Sequence, residues 1–415
     1  MQSMNPGSLY KKIKIARADG TAPHVLIIGG GVSGLTTAWA LRNSGCKVTV
    51  LAKQYAQPGA HGNEIVSEIA GALWEWPPAV CGSHGKDTEE QLEALKRWCQ
   101  VSYVQFKDIA EKYGAKETGI RKRMSCFLFD RKLGPDGLQK KQEIERVCED
   151  FNDDLPHLIK KYKINTNMEK KGYNIVDGYE HLSYVVDPGN YLHWLRRLIE
   201  DMGVVLKHGV VEDTLHEEMP YLLKQFKADI VINCTGMASR ELCGDNRMKP
   251  LRGILIHAKN DGKRFEKIEG CISISQREAG IDATEEEKRK ADEGRFEFIV
   301  PRNDDVLILG GYAQMGQETL EWDEEKHKYL ERMRTGCVNL YPDLANAEFT
   351  DYYHRAGIRP FRDEPRVGQD EYNPRLFHNY GHGGSGFTLS YGCALDIRHI
   401  VKGYFETEFR PTSNL

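Results

Sequence analysis

The stretch HVLIIGGGVSGLTTAWALRNSGCKVTVLA, His24 to Ala52, constrains the chain more than any other. An apolar run closes on glycines, an amphipathic segment from Ser33 to Asn43 follows, and a second apolar run, KVTVLA, ends at Ala52. Strand, glycine turn, helix and strand in that order open a parallel α/β unit. Gly29, Gly31 and Gly34 make GxGxxG at the strand–helix junction. In such a turn the first glycine permits the tight bend, the second lets backbone approach a pyrophosphate, and the third packs helix on strand. The positive helix end then faces the phosphates. The motif in this setting predicts a dinucleotide site. Ala52 and Lys53 stand where an acid would bind ribose hydroxyls, which argues against NAD. Lys53 either meets the adenosine end or is solvated.

Farther along, Asn190 is positioned to cap a helix, YLHWLRRLIEDMG, that ends at Gly203 and leads into VVLKHGVV and ADIVINCTG. Thr235 and Gly236 of NCTG lie at a strand's carboxyl end, where open α/β sheets bind ligands, though an ordinary turn reads equally well there. Between these parts, Asp87 to Gly114 has the spacing of one long amphipathic helix. CFLF and YVVD read as short strands separated by lysine-rich loops, and LRGILIHAK, FEFIVP and VLILGG as strands around a turn at Arg302 to Asp305. With 415 residues to bury, the chain divides into two interleaved domains.

A second glycine cluster, HNYGHGGSGFT, precedes a helical stretch from Phe387 to Phe405. Unobstructed amides at a helix start stabilise negative charge. His382 within it is a candidate base or a local hydrogen-bonding group. Upstream, Arg359 precedes a proline, so its backbone is extended and its side chain leaves in a set direction. Its guanidinium suits two-pronged capture of a carboxylate, whereas Arg362 and Arg366 are expected to face solvent or acids such as Asp363 and Glu364.

IIGGGVSGL, SEIAGALW, DPGNYLHWL, ADIVINCTG, GIRPFR and HNYGHGGSGFT, in this order, resemble the D-amino-acid oxidase family of FAD-dependent oxidoreductases, from about Pro23 to Lys402. The resemblance implies a Rossmann-type α/β domain for FAD, discontinuous over 23–85, 190–250 and 345–405. A mostly antiparallel α+β substrate domain would take 86–189 and 251–344, with 1–22 and 406–415 as tails. It implies that Gly29, Gly31, Val32, Ser33 and Gly34 hold the pyrophosphate and that Ala52 and Lys53 lie near the adenosine. Gly71, Ala72 and Leu73 would approach the flavin ring, Val211 the adenine, with Thr235 and Gly236 nearby. Gly383, Gly384, Ser385, Gly386, Phe387 and Thr388 would enclose the pyrimidine end. Arg359 would bind the substrate carboxylate and the Gly384 carbonyl would accept from the amine. The implied reaction is hydride transfer from an amino acid to flavin, with imine, keto acid and, after reoxidation by molecular oxygen, hydrogen peroxide as products.

The departures fall on the substrate side. Two family tyrosines before the proline of FEFIVP are replaced by Gly294 and Phe298, and a charged insertion runs from Cys271 to Arg295, where Thr284 and Glu287 suggest a capped lid helix or a solvated surface helix. Glu75 either meets a cationic substrate group or pairs with the scaffold. Two readings therefore stand beside a D-amino-acid oxidase: a flavin oxidase of a secondary amine or specialised intermediate, and a catalytically silent nucleotide-binding protein. Lysine plus arginine number 57 against 61 acids, which argues against a nucleic-acid partner. Ten isolated cysteines suggest neither a metal site nor a disulfide framework. No apolar run reaches the ~18 residues of a membrane span. A homodimer stays open, and the terminal SNL only loosely matches a peroxisomal address, leaving peroxisome or cytoplasm.

Overall fold

The computed structural model describes residues 13–57, 64–77, 88–275, 296–321 and 324–408. Its strands in chain order are β1 (His24–Ile28), β2 (Lys47–Ala52), β3 (Ile120–Phe129), β4 (Asp177–Val186), β5 (Val205–His208), β6 (Ile230–Asn233), β7 (Lys249–Lys259), β8 (Cys271–Ser275), β9 (Phe296–Pro301), β10 (Val306–Gly310), β11 (Ala313–Met315), β12 (Phe349–Gln369) and β13 (Leu376–His382). The longer helices are α1 (Val32–Asn43), α2 (Glu89–Tyr113), α3 (Pro135–Val147), α4 (Leu155–Lys161), α5 (Pro188–Asp201), α6 (Leu215–Phe226), α7 (Glu324–Leu340) and α8 (Gly386–Glu408).

Strand alternation explains both the core and the site. In β1 and β6, Val25, Ile27, Ile230 and Ile232 point to a core filled by α1, α2, α5 and α8. Leu26, Ile28 and Val231 point the other way, onto Leu215, Met219 and Leu222 of α6. Covered on both faces, these strands are continuous apolar runs, as parallel strands between helices must be. In the antiparallel part, Leu128, Ile254, Ile256, Ile272, Ile274 and Ile299 join the α7 side chains Leu330, Met333 and Leu340 in a second core. Their neighbours in sequence, Phe127, Gly253, Leu255, Ser273, Phe298 and Val300, face a cavity instead.

The sheet is mixed and continuous, in the order β4-β3-β8-β9-β10-β7-β12-β13-β6-β1-β2-β5, with β11 on β7. The β13, β6, β1, β2 and β5 section is parallel. The remainder is antiparallel apart from the β3–β8 pair. Strand β12 joins the two: its residues up to Phe361 pair with β7, and those from Phe361 onward pair with β13.

Local readings change in places. The segment between CFLF and YVVD holds α3 and α4 rather than only loops, and both strands are longer than four residues. Helix α5 starts at Pro188 with Asp187 at the N-cap, because proline at the first helical position is already set at helical φ. Asn190, expected as the cap, sits inside and donates from Nδ2 to Asp187 at 2.9 Å. Ahead of β1, Ile15 is buried, its N–H donates to the Ser44 carbonyl, and Arg17 pairs with Asp229 at 2.6 Å. Thr284, Glu287, Gly294 and the final SNL lie outside the described residues. No described helix is long and apolar enough to cross a membrane.

Candidate active site

The β1–α1 turn builds one wall of a cavity of ≈ 680 Å³. Gly29 has φ +119° and lies where a Cβ would overlap the Cys234 carbonyl, and a Cβ on Gly34 would overlap the Gly29 carbonyl. These two glycines are packing requirements. A Cβ on Gly31 would meet only the Ser67 hydroxyl, at 3.1 Å, so this glycine keeps the cavity clear. The Val32 amide donates to Ser67 Oγ at 3.2 Å, while the Gly31 and Ser33 amides have no acceptor among the described residues. Such free amides at a helix start are suited to phosphate oxygens.

Ala70 to Leu73 forms the opposite edge. Ala72 sits at φ +50°, unusual for alanine, and is held there by a bridge in which the Val186 N–H donates to the Ala72 carbonyl and the Trp74 N–H to the Tyr184 carbonyl. Strain of this kind, of order 1–3 kcal/mol, persists only where neighbours enforce it. The Gly71, Ala72 and Leu73 amides find no acceptor among the described residues, and all three residues line the cavity.

The C-terminal glycine loop closes the third side. The Gly383 N–H donates to the Pro360 carbonyl at 2.9 Å and Ser385 N–H to the His382 carbonyl at 2.9 Å. This leaves the first amides of α8, Gly386 to Thr388, pointing without helical acceptors at the same space. His382 is 5% exposed, and burial pushes its imidazole down to about 4, so it is neutral at neutral pH. Its Nδ1 lies 3.4 Å from Ser33 Oγ and its Nε2 has no partner among the described residues.

Arg359 extends from β12 across Gly253 of β7, where any Cβ would overlap its guanidinium. Its Nη1 is 3.4 Å from the Tyr312 carbonyl, and no carboxylate among the described residues pairs with it. Phe298 lies over Gly310 in the same manner. Glu75 also reaches the cavity, with Lys140 of α3 at 3.6 Å as a scaffold partner. Arg362 and Arg366 are not solvent-facing: Arg362 Nε donates to the buried Asp245 at 2.9 Å, and Arg366 donates to Asp370 and to the Tyr380 hydroxyl, both at 3.1 Å. Asp363 turns instead to Lys249 at 3.4 Å. Alternating residues on β12 point to opposite faces only while pairing is regular, and the register shift between Phe361 and Arg366 redirects both side chains inward.

The cavity brings together every residue expected at the cofactor and substrate except Gly34, which packs behind it. Phe127, Leu255, Ser273 and Val300 also line it and were not anticipated. They are ordinary strand residues, marked only by their alternation with buried isoleucines and leucines.

The FAD dependent oxidoreductase family model, DAO, matches residues 24–399. The chain belongs to that family. It is FAD-dependent, an oxidoreductase acting on amino acids or amines. A D-amino-acid oxidase of Streptomyces coelicolor is 29% identical over 379 residues, 91% of this chain and 96% of the relative. A glycine oxidase from Geobacillus kaustophilus superposes with TM-score 0.64 at 14% identity, over 95% of this chain and 100% of that one. An L-alpha-glycerophosphate oxidase from Mycoplasma pneumoniae, solved with FAD bound, gives 0.62 at 14% identity, over 92% and 94%. The cavity of this DAO-family chain fits the cofactor's chemistry, because two helix N-termini with free amides suited to phosphate and ring oxygens open into it.

Proposed function

We propose that the chain oxidises an amine that carries a carboxylate, a D-amino acid or a related amino acid, to the imine and keto acid with release of hydrogen peroxide. The observation that carries this reading is Arg359, a cavity-lining guanidinium with no carboxylate partner among the described residues. FAD when bound supplies the hydride acceptor and passes the electrons to oxygen. Gly29, Gly31, Val32 and Ser33 would hold the pyrophosphate with Gly34 packed behind them, and Ala52, Lys53 and Val211 would flank the adenosine with Thr235 and Gly236 nearby. Gly71 to Leu73 and Gly383 to Thr388 enclose the ring. Residues 23–85, 190–250 and 345–405 form the cofactor part, and 86–189 with 251–344 the substrate part.

Arg359 grips the substrate carboxylate in two-pronged fashion and the Gly384 carbonyl accepts from the amine. Phe127, Leu255 and Phe298 exclude water from the reacting carbon. His382, neutral and buried, is no proton acceptor of useful strength, so the residues act by orientation. Peroxide release suits a peroxisomal or cytoplasmic setting.

Phe298 favours a second reading. Where a tyrosine hydroxyl would help hold the carboxylate, phenylalanine leaves Arg359 alone, which suits a secondary amine or a specialised intermediate. The test is anaerobic bleaching of the flavin spectrum by D-amino acids, L-amino acids and N-methylated amines in turn. Bleaching by D-amino acids, with peroxide on readmission of air, supports the first reading. Bleaching by N-methylated amines alone supports the second, and a flavin that nothing reduces overturns the proposal.

A further inference from the structure

Arg302, immediately after β9, is 6% exposed and belongs to none of the roles above. Its Nη2 donates to the Ala70 carbonyl, and its Nη1 lies 3.4 Å from His257 Nε2. Its Nε has no partner, and no carboxylate is paired with it among the described residues. The charged groups around it are Asp187, which Asn303 holds at 3.0 Å, and Arg355, which is paired with Glu64 at 3.1 Å. Burial pushes the guanidinium down to about 10, offset in part by Asp187, so it stays a cation at neutral pH.

The peptide that receives this cation is the one between Ala70 and Gly71. Its other end, the Gly71 N–H, has no acceptor among the described residues and belongs to the cavity wall. A carbonyl that accepts from a cation polarises its own amide, and the N–H at the far side becomes a stronger donor. The same bond fixes the peptide plane beside Ala72, whose φ of +50° makes the loop sensitive to its neighbours.

We propose that Arg302 is a positioning residue that orients and polarises the Ala70–Gly71 peptide so that the Gly71 N–H donates to the flavin ring. This rests on the assignment of Gly71 to Leu73 to the ring. A donor that gains strength as the ring gains electrons favours the reduced state, so Arg302 raises the flavin's midpoint potential without touching substrate.

The test uses the FAD-loaded wild type, Arg302→Met and Arg302→Lys, with midpoint potential, flavin content, Tm and the rate of anaerobic bleaching measured on each. Loss of one charge-assisted bond is expected to shift the oxidised-to-reduced equilibrium about tenfold in Arg302→Met, about 30 mV for a two-electron couple. Bleaching at saturating substrate slows while KM stays unchanged, and Arg302→Lys recovers part of the potential. If Arg302→Met does not take up FAD, a lowered potential in Arg302→Lys supports the role. A wild-type potential in loaded Arg302→Met overturns it, and so does loss of FAD from both variants at unchanged Tm. A wild-type protein that binds no FAD instead overturns the reading beneath it.

Discussion

Arg359 and Gly253 form a single working unit. The guanidinium lies flat on β7 because no side chain rises from position 253, and the Tyr312 carbonyl at 3.4 Å steadies it. Gly253→Ala places a methyl group inside the guanidinium's space, so the arginine must swing away. Steady-state kinetics of that variant should show KM raised about tenfold with flavin content intact, from the loss of part of a charge-assisted contact. Arg359→Leu, which removes the charge altogether, should raise KM about 100-fold or more at unchanged flavin content. Three buried histidines set a different limit. Burial pushes His181, His378 and His382 each down to about 4 from an ordinary value of 6.5. The folded state then binds fewer protons than the unfolded one between those values, so their contribution is present above pH 6.5 and lost as pH falls toward 4. Thermal denaturation followed across that window should show Tm falling steadily. A flat Tm from pH 7 to 4.5 contradicts it.

The β1–α1–β2 unit separates two kinds of glycine that look alike in sequence. Gly34→Val drives a side chain into the Gly29 carbonyl and should prevent folding, as recovery of soluble protein would show. Gly31→Ala meets only the Ser67 hydroxyl, so the protein should fold with the Tm of the wild-type apoprotein yet lose FAD on dialysis. This unit was legible because an apolar run, a glycine turn and a helical period coincide within His24 to Ala52. Helix α3 was not, since Ile144 is its one buried residue and a lysine-rich, solvated helix carries little apolar period. Helix α6 went unread because Pro220 breaks its pattern; the structure accommodates it within the first turns behind the Thr214 cap. The candidate site was legible where glycines and Arg359 signalled it. Phe127 and Ser273 escaped because their positions follow from the pairing of β3 with β8, segments more than a hundred residues apart, and Arg302 because its partner, the Ala70 carbonyl, lies as far away in sequence; no local pattern records either.

The whole molecule is held along β12. Its first half is zipped to β7 and its second to β13, with Phe361 paired on both sides and the Gly383 N–H bonded to the neighbouring Pro360 carbonyl. Parting β7 from β13 requires breaking that ladder beside Arg359 itself. Small-angle scattering should therefore give the same radius of gyration with and without a carboxylate inhibitor, and a clear contraction on binding would show that the ladder yields. A plate braced in this way offers small molecules a doorway of constant frame. Its pace is then set by how quickly reactants thread past the side chains at the threshold, and traffic through it can be altered by trimming those side chains while the walls stay where they are.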